Sequence, residues 1–183
     1  MIHNTKLALI TGVSRGLGKS IAIQLMEAGY TVIGFSRKAS ISLNQNHSRF
    51  YPVDLNNPKQ LQEITEPLFE ELAQSPLEKI YLVNNAATAS PVNIIGNLRL
   101  SEFEEHLAIN LTSPMILCQL FCHYFKDISG ERRIINISSG AAQTPVPGSG
   151  SYCVSKAGLE MLTRIIAAEY PQKNFYCIVV RPG

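Results

Sequence analysis

The sequence predicts an α/β fold in which helices cover both faces of a parallel β-sheet, and three observations carry that expectation. Short apolar runs alternate with longer stretches of helical periodicity along the whole chain. The short runs are continuously apolar rather than alternating, as in strands covered on both sides. A glycine-rich turn, Thr11-Gly12-Val13-Ser14-Arg15-Gly16-Leu17-Gly18, joins the first run to the first helical stretch.

Residues Lys6–Thr11 read as a buried strand and residues 17–28 as a helix closed by Gly29. A second strand at 31–35 is followed by a polar loop rich in Ser and Asn, then a third strand at 49–53. Residues 58–74 repeat apolar side chains at Leu61, Ile64, Leu68 and Leu72, which is helical spacing. The fourth strand is 79–83. Residues 102–125 form one long helix or two abutting ones, with Pro114 as the expected kink. A fifth strand at 133–137, a helix at 152–169 and a sixth strand at Phe175–Val180 complete the pattern. Right-handed crossovers then favour a Rossmann-type doubly wound sheet ordered 3-2-1-4-5-6. Neither a repeat nor a low-complexity linker interrupts it, so one domain over residues 1–183 is expected.

Composition narrows the function. Lys and Arg number 16 against 14 Asp and Glu, a net charge of +2 with no block of like charges, which argues against nucleic acid or a membrane surface as partner. No apolar run is long enough to span a bilayer, and no signal-peptide pattern follows Met1, so a cytoplasmic location is expected. Cys118, Cys122, Cys153 and Cys177 lack CxxC spacing and read as reduced core thiols. His3, His47, His106 and His123 are scattered, without metal-ligand spacing, and no metal is assigned.

The glycine turn has a mechanism behind it. Gly12 permits the tight turn, Gly16 lets the backbone approach a pyrophosphate, and Gly18 allows close packing of helix on strand, while the helix N-terminus presents free N–H groups to the phosphates. Ser14, Arg15 and Leu17 complete that loop. A glycine triplet alone marks many ordinary turns; its position between the first strand and the first helix gives it weight. The spacing TGxxxGxG resembles the short-chain dehydrogenase/reductase family, in its compact single-domain branch, and the resemblance runs the length of the chain.

An NAD site usually carries an acidic residue at the end of the second strand. Here that strand ends Ser36-Arg37-Lys38, a hydroxyl and two cations suited to the 2′-phosphate of NADP(H), with Arg15 as a further cation. The bland alternative is a solvated basic turn. By resemblance, Asp54 and Leu55 border the adenine. Asn84-Asn85-Ala86-Ala87 matches the family's NNAG, implying cofactor contacts at Asn84 and Ala86 and a departure at Ala87, where glycine is usual.

Tyr152 and Lys156 lie four residues apart at a helix start and project from one face. A tyrosine is a poor acid–base partner at neutral pH, and a neighbouring ammonium is the right kind of group to assist it. YxxxK alone is common on surface helices. The resemblance adds Ser139, thirteen residues earlier, in preference to Ser138, and Asn110 as the fourth member. It implies Tyr152 as general acid, Ser139 as hydrogen-bond donor to the substrate oxygen, Lys156 as partner of Tyr152 and of the nicotinamide ribose, and Asn110 as holder of a water and a helix kink.

Within the family, the runs Ile137 to Ala142, Tyr152-Cys153 and Lys156-Ala157-Gly158 are similar to benzil reductase- and sepiapterin reductase-type members. That implies an NADPH-dependent carbonyl reductase acting on a ketone, with a vicinal diketone or a pterin side chain as substrate. The Pro-rich stretch 143–147 either borders the substrate or is a rigid surface loop. Pro182 and Gly183 are expected to begin the nicotinamide contacts. Family members continue beyond this point, so a C-terminally truncated chain is expected, and with it a second reading, a catalytically silent NADP(H)-binding protein. A homo-oligomer is expected through the long helices.

Overall fold

In the computed structural model, which describes residues 5–39 and 48–182, the six apolar runs pair into one parallel sheet. The strands are β1 (Lys6–Thr11), β2 (Thr31–Ser36), β3 (Ser48–Pro52), β4 (Lys79–Asn84), β5 (Glu131–Ile137) and β6 (Phe175–Val180). Their order is β3-β2-β1-β4-β5-β6, as the sequence predicts. Ile10 of β1 stands opposite Gly34 on one side and Val83 on the other. The order in which strands are added to the sheet reverses between β1 and β4, all strands staying parallel, and such a switch opens a crevice at the carboxyl ends of the strands.

The connecting helices are α1 (Gly16–Glu27), α2 (Pro58–Ala73), α3 (Leu100–Leu107), α4 (Ser113–Phe125) and α5 (Gly150–Glu169). Helix α2 starts where it does because the Asn57 side chain accepts from the Gln60 amide at 3.1 Å and Pro58, at the first helical position, has no N–H to satisfy. Its apolar stripe, Leu61, Leu68, Phe69 and Leu72, is buried. On that side of the sheet Leu7, Leu9, Ile33, Phe35, Ile80 and Leu82 meet Phe69, Phe121 and Phe125, whose rings contact one another at 5.6 and 5.1 Å. On the other side Ala8, Ile10, Val32 and Val83 join Val13 and Ala22. None of the described helices is long and apolar enough to cross a membrane.

Two expectations need correction. Residues 102–125 take the two-helix alternative, α3 and α4, but the break is not at Pro114. It is a widened turn, Ala108–Thr112, around Asn110, where the resemblance implies a kink and where the Ser113 amide donates to the Ala108 carbonyl five residues back. Pro114 follows the break, in the first turn of α4, and having no N–H it cannot bond the Asn110 carbonyl four residues before it. Nor are all strands covered on both faces. β1 and β2 are, but β6 alternates, with Tyr176, Ile178 and Val180 about 40% exposed and the Arg133 guanidinium stacked 5.2 Å from the Tyr176 ring centre.

The cysteines divide too: Cys118 and Cys122 are core residues, whereas Cys153 and Cys177 are half-buried.

Candidate active site

A cleft of about 930 Å³ opens at the carboxyl ends of β1 to β4. It gathers Gly12, Ser14, Arg15 and Gly16 from the glycine loop, Ser36, Arg37 and Lys38 from the end of β2, Asp54 and Leu55 from beyond β3, and Asn85, Ala86 and Thr88 from beyond β4. Leu17 and Gly18 lie in the first turn of α1 behind this wall, and Pro182 lies beyond β6. Gly183 lies outside the described residues.

The glycines are needed for definite reasons. Gly12 has φ +76°, in the left-handed region that side chains avoid. A Cβ on Gly18 would stand 2.3 Å from Asn85 Nδ2 and 2.4 Å from the Gly12 carbonyl oxygen, so only glycine fits. Helix α1 begins without a side-chain cap, leaving its first amides open toward the loop. The loop is tied to β4 through Thr11, whose hydroxyl oxygen accepts from the amides of Asn85 and Ala86 at 3.0 Å each. The Asn85 side chain in turn donates to the Thr11 carbonyl at 3.0 Å.

The two asparagines at the end of β4 face different ways, and the Asn84 side chain does not reach the cleft. It is buried and donates to Asn136 Oδ1 at 2.8 Å, bridging β4 to β5 in the interior. Asn85, one residue on and past the strand, is the asparagine that meets the loop and lines the cleft. Ala87 does not need to be glycine, since Asn174 is the one non-glycine residue with positive φ among the described residues.

Arg15, Arg37 and Lys38 are exposed, and among the described residues no carboxylate lies within ion-pair distance of them. Ser36 donates its hydroxyl to the Lys38 carbonyl at 2.7 Å, which folds the basic turn over the end of β2. Asp54 caps its own turn by accepting from the Asn56 amide at 3.0 Å, and the Leu55 carbonyl is held by the Ser113 hydroxyl at 2.7 Å.

Ser139, Tyr152, Lys156 and Asn110 belong to a second cluster, between the end of β5, α5 and the widened turn. The two serines at the end of β5 differ sharply. Ser138 is buried and donates to Glu160 Oε1 at 2.8 Å, while Arg181 grips the same carboxylate with two hydrogen bonds of 2.7 and 2.6 Å. That grip holds the Glu160 carboxyl below its usual range. Ser139 is half-buried and accepts from the Ala141 amide at 3.2 Å, leaving its own proton available. Lys156 is 2% exposed; its ammonium donates to the Ile137 carbonyl at 2.7 Å and lies 5.8 Å from the centre of the Tyr152 ring. Burial lowers its pKa to about 8.

Asn110 is the most constrained of the four. Its Oδ1 accepts from the Thr88 amide and its Nδ2 donates to the Thr88 carbonyl, both at 2.8 Å. Nδ2 also meets His106 Nε2 at 2.7 Å and Ser155 Oγ at 3.3 Å. Ser155 in turn donates to the Tyr152 carbonyl at 2.9 Å. Sequence reading gave no site role of their own to Thr11, Asn85, Thr88, His106 and Ser155. Thr11 and Asn85 stood inside the two quoted motifs, and His106, one helical turn before Asn110, was weighed as a metal ligand alone.

Residues 6–183 match the family described as short chain dehydrogenase. The chain belongs to that family. It is 38% identical over 167 residues to the benzil reductase ((S)-benzoin forming) of Bacillus subtilis (strain 168), covering 90% of this chain and 67% of that one. To the sepiapterin reductase of Mus musculus it is 30% identical over 181 residues, covering 90% and 69%. A metagenomic short-chain oxidoreductase solved in complex with NADP superposes with a TM-score of 0.85 at 26% identity, covering 98% of this chain and 83% of that one. As a short-chain dehydrogenase, the protein is an oxidoreductase built on a nicotinamide-cofactor fold.

Proposed function

We propose that this short-chain dehydrogenase is an NADPH-dependent carbonyl reductase. The observation that carries the reading is Lys156, a buried ammonium held between the end of β5 and the Tyr152 ring. Burying a lysine is costly, and this one forms no ion pair among the described residues. Such a site is consistent with function rather than with stability.

A dinucleotide fits the residues present. The side-chain-free approach at Gly18 and the uncapped start of α1 suit a pyrophosphate. Arg37 and Lys38, beside Ser36 and without a carboxylate partner among the described residues, suit a 2′-phosphate, with Arg15 on the same cleft adding charge. Asp54 and Leu55 would border the adenine, and Pro182 would begin the nicotinamide contacts. When bound, the reduced nicotinamide supplies the hydride.

The protein's part is to bind, orient and move one proton. Ser139 donates its available hydroxyl proton to the substrate oxygen, a bond that strengthens as charge builds there. Tyr152 gives its phenolic proton to that oxygen as it becomes an alcohol. Lys156 keeps positive charge beside the phenol while Tyr152 is transiently anionic, and Asn110 fixes the widened turn against Thr88. Similarity to benzil and sepiapterin reductases supports a ketone beside a second carbonyl as substrate, such as benzil or a pterin side chain. The exposed Val154, Met161 and Ile165 on α5 support assembly with a second copy.

The test is a titration of the chain with NADPH and with NADH, followed by nicotinamide fluorescence. Saturable binding that favours NADPH at least about tenfold, about 1.4 kcal/mol, supports the reading. Equal or tighter binding of NADH overturns the cofactor choice, and binding of neither overturns the site.

A further inference from the structure

His106 touches three separate parts of the candidate active site with one ring. It is fully buried in α3. Nδ1 lies 2.9 Å from the Ser90 carbonyl oxygen in the loop beyond β4, and Nε2 lies 2.7 Å from Asn110 Nδ2 in the widened turn. The ring meets the Tyr152 ring edge to face, with centres 6.1 Å apart and planes at 88°.

These contacts fix the state of every group in them. Asn110 cannot be turned over, because its amide oxygen faces the Thr88 N–H and its NH₂ faces the Thr88 carbonyl. Nδ2 therefore has one proton for Thr88 and one for His106, and the longer 3.3 Å approach to Ser155 is secondary. The imidazole must receive that proton on an unprotonated Nε2. A carbonyl oxygen only accepts, so Nδ1 must carry the hydrogen that reaches Ser90. His106 is thus neutral, in a single tautomer, and satisfied at both nitrogens.

We infer that His106 is a positioning residue, which sets the Asn110 carboxamide and the Tyr152 ring in one arrangement by joining the Ser90 carbonyl, the widened turn and α5. The role rests on the reductase reading, in which Tyr152 and Asn110 take part. The geometry does not. An apolar residue would fill the space but leave the Ser90 carbonyl without its His106 partner and one Asn110 N–H with only the long approach to Ser155, and the carboxamide would be free to shift. Glutamine can replace both bonds, donating with its amide nitrogen and accepting with its oxygen. Phenylalanine keeps the ring contact to Tyr152 and loses both bonds.

The experiment compares wild type, His106→Phe and His106→Gln in three readouts. The histidine side-chain nitrogen spectrum of the wild-type chain should show His106 as the neutral Nδ1–H tautomer at neutral pH, its signal identified by its loss in His106→Gln. With benzil and NADPH, His106→Phe should lower kcat at least tenfold while KM for benzil and Kd for NADPH stay within twofold. His106→Gln should recover kcat to within threefold of wild type. An Nε2–H or imidazolium His106, an unchanged kcat in His106→Phe, or equal impairment in both variants overturns the inference. If wild type turns over no ketone, the reductase reading fails and the side-chain amide protons of Asn110 decide the matter. Slow exchange in wild type and His106→Gln with fast exchange in His106→Phe upholds the positioning role, and equal exchange in all three overturns it.

Discussion

Ser138 donates its buried hydroxyl to Glu160 at 2.8 Å, and this bond separates the two adjacent serines at the end of β5. Ser138 has spent its proton on a carboxylate already gripped by Arg181, while Ser139 accepts from the Ala141 amide and keeps its own. Ser139→Ala should therefore reduce kcat by roughly 10²- to 10³-fold, the loss typical of one oxyanion donor, with little change in melting temperature. Ser138→Ala should do the reverse, costing about 1 kcal/mol of stability and leaving turnover within a few-fold of wild type. Steady-state kinetics and thermal melts on the two variants decide it, and a kinetic loss in Ser138→Ala larger than in Ser139→Ala would exchange their roles.

Lys156 makes stability depend on pH in a known direction. Its ordinary value is 10.5 and burial lowers it to about 8 in the folded chain. Between those values the unfolded chain holds a proton that the folded chain has released, so stability rises with pH across that window, by at most about 1.4 kcal/mol per pH unit. Denaturant unfolding of wild type and Lys156→Met at several pH values from about 8 upward isolates this contribution, because all other groups are shared. The wild-type advantage should grow with pH. A difference that stays flat would mean that Lys156 titrates as an exposed lysine does.

At Gly18 the prediction is steric. A methyl group placed 2.3 Å from Asn85 Nδ2 and 2.4 Å from the Gly12 carbonyl must push the glycine loop off the end of β4. Gly18→Ala should cost about 1–3 kcal/mol of stability and weaken NADPH binding at least about tenfold. Gly16 carries φ +56° with open space around it, so its substitution strains the backbone without that collision. Calorimetry of the Gly18 variant with and without NADPH provides the check, and wild-type affinity would show that the loop can yield.

Arg37 is the exposed cation best placed at the end of β2. Arg37→Ala should weaken NADPH about 10- to 100-fold, the worth of a charge-assisted hydrogen bond pair of about 1.5–3 kcal/mol, and leave NADH binding nearly unchanged. Equal losses for both cofactors would place Arg37 outside the 2′-phosphate site.

The sheet order was legible because it follows from continuous apolar runs, their alternation with helices, and the handedness of crossovers. The glycine loop was legible for a similar reason: Gly12, Gly16 and Gly18 act through local backbone geometry. Pairings across the chain were not. Asn84 turns into the interior because its register partner in β5 is Asn136, 52 residues away, and nothing near Asn84 in sequence announces it. The widened turn was legible only through the resemblance, which implies a kink at Asn110. The residues themselves pointed to Pro114, because apolar spacing does not record whether the Ser113 amide bonds the carbonyl four or five residues back. His106 escaped, since Ser90, Asn110 and Tyr152 meet around it only in the fold. The open face of β6 escaped because an apolar run such as FYCIVV reads the same whether one face is covered or two.

The most direct test of the account is NADPH consumption in the presence of benzil by wild type and by Tyr152→Phe, measured alongside NADPH binding. Removing one hydroxyl oxygen takes away the proton donor and leaves the glycine loop, Arg37 and Lys156 in place. Wild type should turn over, Tyr152→Phe should not, and both should bind NADPH with the same affinity. Turnover by Tyr152→Phe at the wild-type rate would contradict the account, because the proton would then come from another group.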